Sequence, residues 1–341
     1  MYIEINNKYR PYIAQWLLIM FFLVSIMIII GGLTRLTDSG LSITEWEFFK
    51  GFFPPVSKST WIEYFEAYKR IPEFQLQNFS MSLSEFKVIF WWEWFHRFFG
   101  RLIGLCFLLP LIYFSFKIKL INLLHYYLIF LLICFQGFIG WYMVSSGLVD
   151  RIDVSHFRLS IHLIIAFLIL SLILWNYLRL NFYIKEQTKI NLFFPLTFLI
   201  LVFLQIIIGA FVSGMDAGLI YNSWPMMGST YFPDDNEFKS LFSLAAFSDA
   251  SLVQFLHRNL AYAILFFYLL ILFKIYKYQI KYCYFAISLL GFFLLTQVIL
   301  GIFTLINGAH IALASMHQLS SIFLVSVSVY FLYLNKRVNS F

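Results

Sequence analysis

Eight apolar stretches, near residues 14–33, 98–116, 123–144, 159–178, 192–214, 255–273, 282–306 and 311–334, run through a chain of 341 residues. Each is close to the roughly 20 residues that cross a bilayer as a helix. In hydrocarbon every backbone N–H and C=O must be paired within the structure, and a long, continuously apolar run meets that condition only as a helix. The predicted fold class is therefore an all-α integral membrane protein with eight transmembrane helices. Composition points the same way: 61% of residues are hydrophobic, 12% are charged and the mean hydropathy is +0.81, more apolar surface than a soluble domain can hide. The first stretch, Trp16 to Leu33, is too long for a signal-peptide core and has no small-residue cleavage pattern behind it, so it is read as a span.

The net charge of +7 would point to nucleic acid in a soluble protein. Here the basic residues sit in alternate short connections: Lys8 and Arg10, then Lys117 and Lys119, then Arg179, Lys185 and Lys189, then Lys274, Lys277 and Lys281, and finally Lys336 and Arg337. That pattern predicts both termini on the cytoplasmic side and no nucleic-acid partner; the partner it implies is the lipid bilayer. Cys106, Cys134 and Cys283 fall in or beside spans and form no CxxC, so thiol chemistry is not indicated.

The sequence repeats itself. His96-Arg97 matches His257-Arg258, and at equal offsets follow Gln136 and Gln297, Gly140 and Gly301, and Gly147 and Gly308. GGLTRLTDSGLSITEW (31–46) also lies over GAFVSGMDAGLIYNSW (209–224), with Gly31/Gly209, Asp38/Asp216, Gly40/Gly218, Leu41/Leu219 and Trp46/Trp224 in register. The expectation is two pseudo-symmetric four-helix bundles, 1–185 and 186–341. Because each holds an even number of spans, the two copies run in the same sense, about an axis along the membrane normal. They differ in their first outer loops. The first, 34–92, carries Pro54-Pro55 and two short helical candidates starting near Thr60-x-x-Glu63 and Ser82-x-x-Glu85, both capping-box patterns. The second, 214–254, is shorter and acidic. Each reads as a lid over its bundle or as an ordinary solvated loop.

His96 and His162 open spans two and four, and His257 and His317 open spans six and eight. Each half thus offers two imidazoles at one depth. Zinc or copper normally takes three or four N, S or carboxylate ligands, whereas haem needs two axial ligands between bundle helices. Arg97, Arg101, Arg158 and Arg258 lie close by for its propionates. A single membrane histidine is as readily a hydrogen-bonded packing residue, but four at duplicated positions favour haem. His125, His156 and His310 have no counterparts and read as structural; Gln136, Gln205 and Gln297, each four residues before a glycine, read as helix-packing residues or as outer neighbours of a haem. Glu93, one turn before His96, is replaced by Gln254 in the second copy. That difference suggests chemistry in the first half and a cofactor in the second; the competing reading is a Glu93–Arg97 ion pair.

Taken together, GGLTRLTDSGLSITEW, the Pro pair, EFKVIFWWEWFHRFFGR (85–101), RLSIHL (158–163), GMDAGLIYNSWPMM (214–227) and the His-Arg and His-Gln pairs of the second half resemble the haem A synthase family, most closely its proteobacterial and mitochondrial branch. The resemblance runs from about residue 25 to 320. It implies an oxidoreductase of the bacterial inner membrane that converts the C8 methyl group of haem O to a formyl group by successive hydroxylation, with water as oxygen source and haem B as cofactor. It further implies His96 and His162 about the substrate iron with Glu93 beside it, and His257 and His317 as the haem B ligands. Haem O synthase and cytochrome oxidase assembly factors are the implied partner proteins. One branch of the family carries a cysteine pair in an outer loop; this chain has none there. Two rival readings remain at this stage, a two-haem cytochrome b that only carries electrons and a haem exporter or chaperone.

Overall fold

The computed structural model describes residues 8–47, 49–149, 151–182 and 190–336. Among these lie ten α-helices: α1 (Arg10–Leu36), α2 (Lys58–Tyr68), α3 (Pro72–Leu76), α4 (Leu83–Ser115), α5 (Leu120–Gly147), α6 (His156–Asn181), α7 (Phe193–Gly214), α8 (Ala250–Lys277), α9 (Tyr284–Ile306) and α10 (Ile311–Asn335). All but α2 and α3 are long and apolar enough to cross a membrane, and the only β pairing among the described residues is a lone bridge between Met227 and Thr230. The chain divides into two compact units, Met1–Ile169 and Leu170–Phe341, the division falling inside α6. The boundary expected at 185/186, and with it Lys185, Lys189 and Arg337, lies outside the described residues.

In the first unit α1 packs along α4. Trp16 anchors the contact, its indole N–H donating to the Cys106 carbonyl at 3.1 Å and its ring 4.8 Å from that of Phe107. The second predicted span begins earlier than hydropathy indicates. Ser82 and Glu85 form a capping box, the Ser82 hydroxyl accepting from the Glu85 N–H at 3.3 Å and the Glu85 carboxylate from the Ser82 N–H at 2.8 Å. What they start is the 33-residue α4 and not a separate short helix. At 1.5 Å per residue α4 is about 50 Å long, well beyond a hydrocarbon core of about 30 Å. Its extra turns are held by aromatic packing on α2, with Trp61 on Phe90 at 4.9 Å, Phe65 on Phe86 at 5.0 Å and Tyr68 on Phe86 at 5.2 Å. Pairs of this kind are worth roughly 0.5–1.5 kcal/mol each beyond their burial. The cap of α2 is also earlier than predicted: Ser57 accepts from the Thr60 N–H at 3.1 Å, so Thr60 is the third helical residue and not the cap.

In the second unit α7 packs on α8 and α10, and α9 on α10. Asp249 caps α8 by accepting from the Leu252 N–H at 2.9 Å. The buried Asn335 ties the far end of α10 down, accepting from the Tyr282 hydroxyl at 2.9 Å and the Ile190 N–H at 3.3 Å. In each unit the chain leaves its first span through an aspartate in the left-handed region, Asp38 with φ 46° after α1 and Asp216 with φ 49° after α7. A short polar side chain tolerates that conformation far better than a branched one.

Candidate functional site

Each unit brings one pair of histidines face to face. In the first, His96 on α4 and His162 on α6 have ring centroids 6.5 Å apart and planes inclined by 37°. In the second, His257 on α8 and His317 on α10 are also 6.5 Å apart, with an inclination of 73°. A glycine of the preceding span seats every ring. A Cβ on Gly31, Gly140, Gly209 or Gly301 would stand 3.0, 3.0, 3.1 and 3.1 Å from the Cε1 of His96, His162, His257 and His317 respectively. With its Cε1–Nδ1 edge turned to the glycine, each ring leaves Nε2 as the nitrogen farther from it. Only glycine lets the imidazole come so close to the neighbouring backbone.

Three of the four histidines carry a second restraint. Gln136 Nε2 donates to the His162 carbonyl at 2.9 Å, Gln205 Nε2 to that of His257 at 3.0 Å, and Gln297 Nε2 to that of His317 at 2.8 Å and to the Ser320 hydroxyl at 2.6 Å. These glutamines bridge helices, as a polar residue in a membrane interface should.

The pair geometry suits an iron between the rings. Two metal–imidazole bonds of roughly 2.0 Å, with about 1.1 Å from nitrogen to ring centre, put centroids about 6.2 Å apart, against 6.5 Å in both units. Among the described residues no group of three or more His, Cys, Asp or Glu is placed to hold a metal ion. A bare ion would find two ligands where haem, which brings its own four nitrogens, needs no more. The Nδ1 atoms of His96, His162 and His317 are buried without a hydrogen-bond partner, an arrangement that is costly in an apolar interior and one in which the rings are held by packing against their glycines.

Glu93 is buried, 3% exposed, and both its oxygens are hydrogen-bonded. Oε2 accepts from the Ser42 hydroxyl at 2.8 Å and the Ile43 N–H at 2.7 Å, and Oε1 accepts from Arg97 Nη2 at 2.5 Å. The ion pair weighed from the sequence is therefore present. Arg97 also donates to the carbonyls of Ile43 at 2.8 Å and Glu45 at 3.3 Å, and Arg101 to those of Glu47 and Gly51, both at 3.0 Å. In the second unit Arg258 donates to the carbonyls of Tyr221 at 2.9 Å, Ser223 at 2.9 Å and Met226 at 3.2 Å, and to Gln254 Oε1 at 3.2 Å. All three arginines thus fasten the loop that follows the preceding span to the helix that carries a ring. Arg158 bonds the Ser146 hydroxyl and lies over the Tyr142 ring. His156 is the first residue of α6.

One buried group carried no signal in the sequence. Glu73, on α3 outside the spans, is 3% exposed; its Oε1 accepts from the Tyr68 hydroxyl at 3.0 Å and from Asn78 Nδ2 at 3.4 Å, while Oε2 has no partner. Burial pushes its carboxyl up to about 8, with the Tyr68 bond pulling the other way and the charges of Glu93, Asp153 and Asp38 adding to the rise. Burial likewise raises the Tyr68 hydroxyl.

Residues 14–329 match the protein-family model described as cytochrome oxidase assembly protein. The chain is 49% identical over 338 residues to a haem A synthase of Pelagibacter ubique, covering 98% of this chain and 99% of that one. It is 43% identical over 325 residues to a haem A synthase of Rickettsia bellii, covering 93% and 96%, and 42% identical over 339 residues to one of Flavobacterium johnsoniae, covering 96% and 98%.

Proposed function

The chain belongs to the family of cytochrome oxidase assembly proteins that holds the haem A synthases, and from that premise we propose that it oxidises the C8 methyl group of haem O to a formyl group in its first unit, with haem B resident in its second. The observation that carries the reading is the recurrence of two glycine-seated imidazoles 6.5 Å apart. One pair serves the substrate and the other the cofactor. Haem B, when bound between His257 and His317, supplies a centre through which electrons leave.

In the first unit His96 and His162 hold the substrate iron and so fix where the methyl group lies. Conversion of methyl to alcohol with water as oxygen source releases two electrons and two protons, and alcohol to aldehyde releases two more of each. Glu93 is the group assigned to the proton. Its carboxylate favours positive charge developing at the oxidised carbon, and Oε1 can take a proton from the attacking water once its bond to Arg97 opens. Arg97, Arg101 and Arg258 fasten the outer loops over the two sites, and they are the cations assigned to the haem propionates. Both termini lie on the cytoplasmic side of the bacterial inner membrane by the charge bias of the connections, and haem O synthase and oxidase assembly factors are the partner classes that supply and receive the haem.

The rival electron carrier requires two equivalent pockets. Glu93 against Gln254, and ring inclinations of 37° against 73°, favour unequal ones. The test is to express the full chain with a haem O source and extract pigment: haem A is expected, and its absence from folded, haem-loaded protein would refute the proposal. His257→Ala and His317→Ala should each remove the low-spin bis-histidine signal, and retention of that signal in both variants rejects the cofactor assignment.

A further inference from the structure

Each of the four seating glycines has a residue one helical turn before it, facing the same neighbour. On α5, α7 and α9 that residue is Gln136, Gln205 and Gln297; on α1 it is Met27. The glutamines hold the carbonyls of His162, His257 and His317, and Gln205 Nε2 lies 3.2 and 3.3 Å from the two ring nitrogens of His257 besides. Met27 has a thioether and no N–H to donate. Its Cε packs on the next turn of α4, 3.4 Å from where a Cβ on Gly100 would stand. Among the described residues, His96 is thus the one member of the four with no side-chain amide on its carbonyl.

The two pairs share donor type, ring separation and glycine seat, yet their tasks differ. A substrate haem must enter and its product leave, while a resident cofactor must stay. Donor chemistry alone cannot separate the two behaviours, so the restraint around the donors has to. Resting on the assignment of the substrate to the His96–His162 pair, we infer that Met27 makes His96 the axial ligand that lets go. His96 Nε2 withdraws with its electron pair as a neutral imidazole, His162 keeps the iron, and one axial position opens. Because the His96 ring is packed edge-on into its seat at Gly31, withdrawal proceeds by a shift of the turn of α4 that carries it and not by rotation of the ring in place. In the other three histidines a hydrogen bond across the helix interface resists that shift, and such bonds change an opening equilibrium by about three- to twentyfold. Met27 is a positioning residue acting through His96, and the second unit is the clamped counterpart within the same chain.

Carbon monoxide reports the difference, because it binds ferrous haem only where an axial position opens. The full-length protein would be purified in detergent with its resident haem, loaded with haem O, reduced and titrated with carbon monoxide. In wild type one of the two haems is expected to bind the gas. Met27→Gln should weaken that binding about three- to twentyfold and slow exchange of the loaded haem, while Met27→Leu, which adds no donor, should match wild type. Gln205→Met, read through the resident haem alone, should make that haem reactive and keeps the inference testable if Met27→Gln folds poorly. Two bound haems with unchanged gas affinity in Met27→Gln, equal weakening in Met27→Leu, or an inert resident haem in Gln205→Met would overturn the inference while leaving the site assignment standing. A wild-type protein that takes up only one haem with haem O in excess overturns the assignment and the inference together.

Discussion

Alanine in the seats of the cofactor pair tests whether the glycines are there for the rings. A Cβ on Gly209 or Gly301 would stand 3.1 Å from Cε1 of His257 or His317, where ordinary van der Waals contact begins near 3.4 Å. Each ring would have to recede by about 0.3 Å, and a ring bonded to iron on its other side has little room to do so. Overpacking of a well-filled site typically costs 1–3 kcal/mol, which at about 1.4 kcal/mol per decade lowers haem retention roughly 5- to 150-fold for either substitution.

The same chain supplies a control. A Cβ on Gly137 of α5 would meet nothing within 4 Å, so Gly137→Ala should keep its haem and gain the roughly 0.5–1 kcal/mol that alanine contributes over glycine inside a helix. The assay is haem per protein by pyridine haemochrome absorbance on full-length variants in detergent, with the low-spin signal followed by electron paramagnetic resonance. Full haem content and an unchanged spectrum in the Gly209→Ala/Gly301→Ala double variant would refute the seating argument. So would an equal loss in Gly137→Ala, which would mean that any change in these helices disturbs the haem.

Glu93→Gln should leave a folded protein that keeps its haem B, because Gln254 already holds Arg258 and the Tyr221 carbonyl from the matching position; haem A output should drop about 10²- to 10⁴-fold, the usual contribution of a general base, and output at the normal rate in pigment extracts would remove Glu93 from that role. The Glu73 carboxyl, raised to about 8 in the fold from an ordinary 4.5, binds its proton more tightly when folded than when unfolded. Its contribution is complete below pH 4.5 and is lost as pH rises through about 8; melting curves between these limits should slope downward in wild type and flatten in Glu73→Gln, and parallel slopes would contradict the assignment.

Hydropathy locates the eight spans because apolar length is a property of each segment alone. It misplaces the start of α4 because the first turns of that helix are held by Trp61, Phe65 and Tyr68 of α2, a tertiary contact with no local signature. The capping box at Ser82 marks the true start of the helix, because a cap is set by local hydrogen bonds and not by apolar length. The histidines were legible through duplication, since matched residues at equal offsets carry information that one membrane histidine does not. The positions of the arginines beside the histidines were legible, but not their contacts. A guanidinium has five donors, and which of them meet loop carbonyls depends on how residues 43–51 and 221–226 fold back, which no spacing encodes. Glu73 was invisible because an acidic residue in the first turn of a short helix is ordinary; only burial by its neighbours makes it exceptional.

Sequence repetition also hides differences. Aligning Gln136 with Gln297 draws attention to what the copies share, and the aligned pair Met27 and Gln205 passes as an unremarkable exchange of one long side chain for another. Its meaning depends on the helix across the interface, where Gln205 reaches both the carbonyl and the ring of His257 and Met27 packs over Gly100. The same holds for Glu93 and Gln254. Both fasten a loop through an arginine, so the shared contact accounts for the fold, and only the unshared charge is left to account for chemistry. On the proposed assignment, a duplicated membrane protein acquires two functions without changing its ligands: the imidazoles and their glycine seats stay constant, while the residue one turn before a seat sets how firmly a haem is held and the residue one turn before a ring sets whether it is transformed.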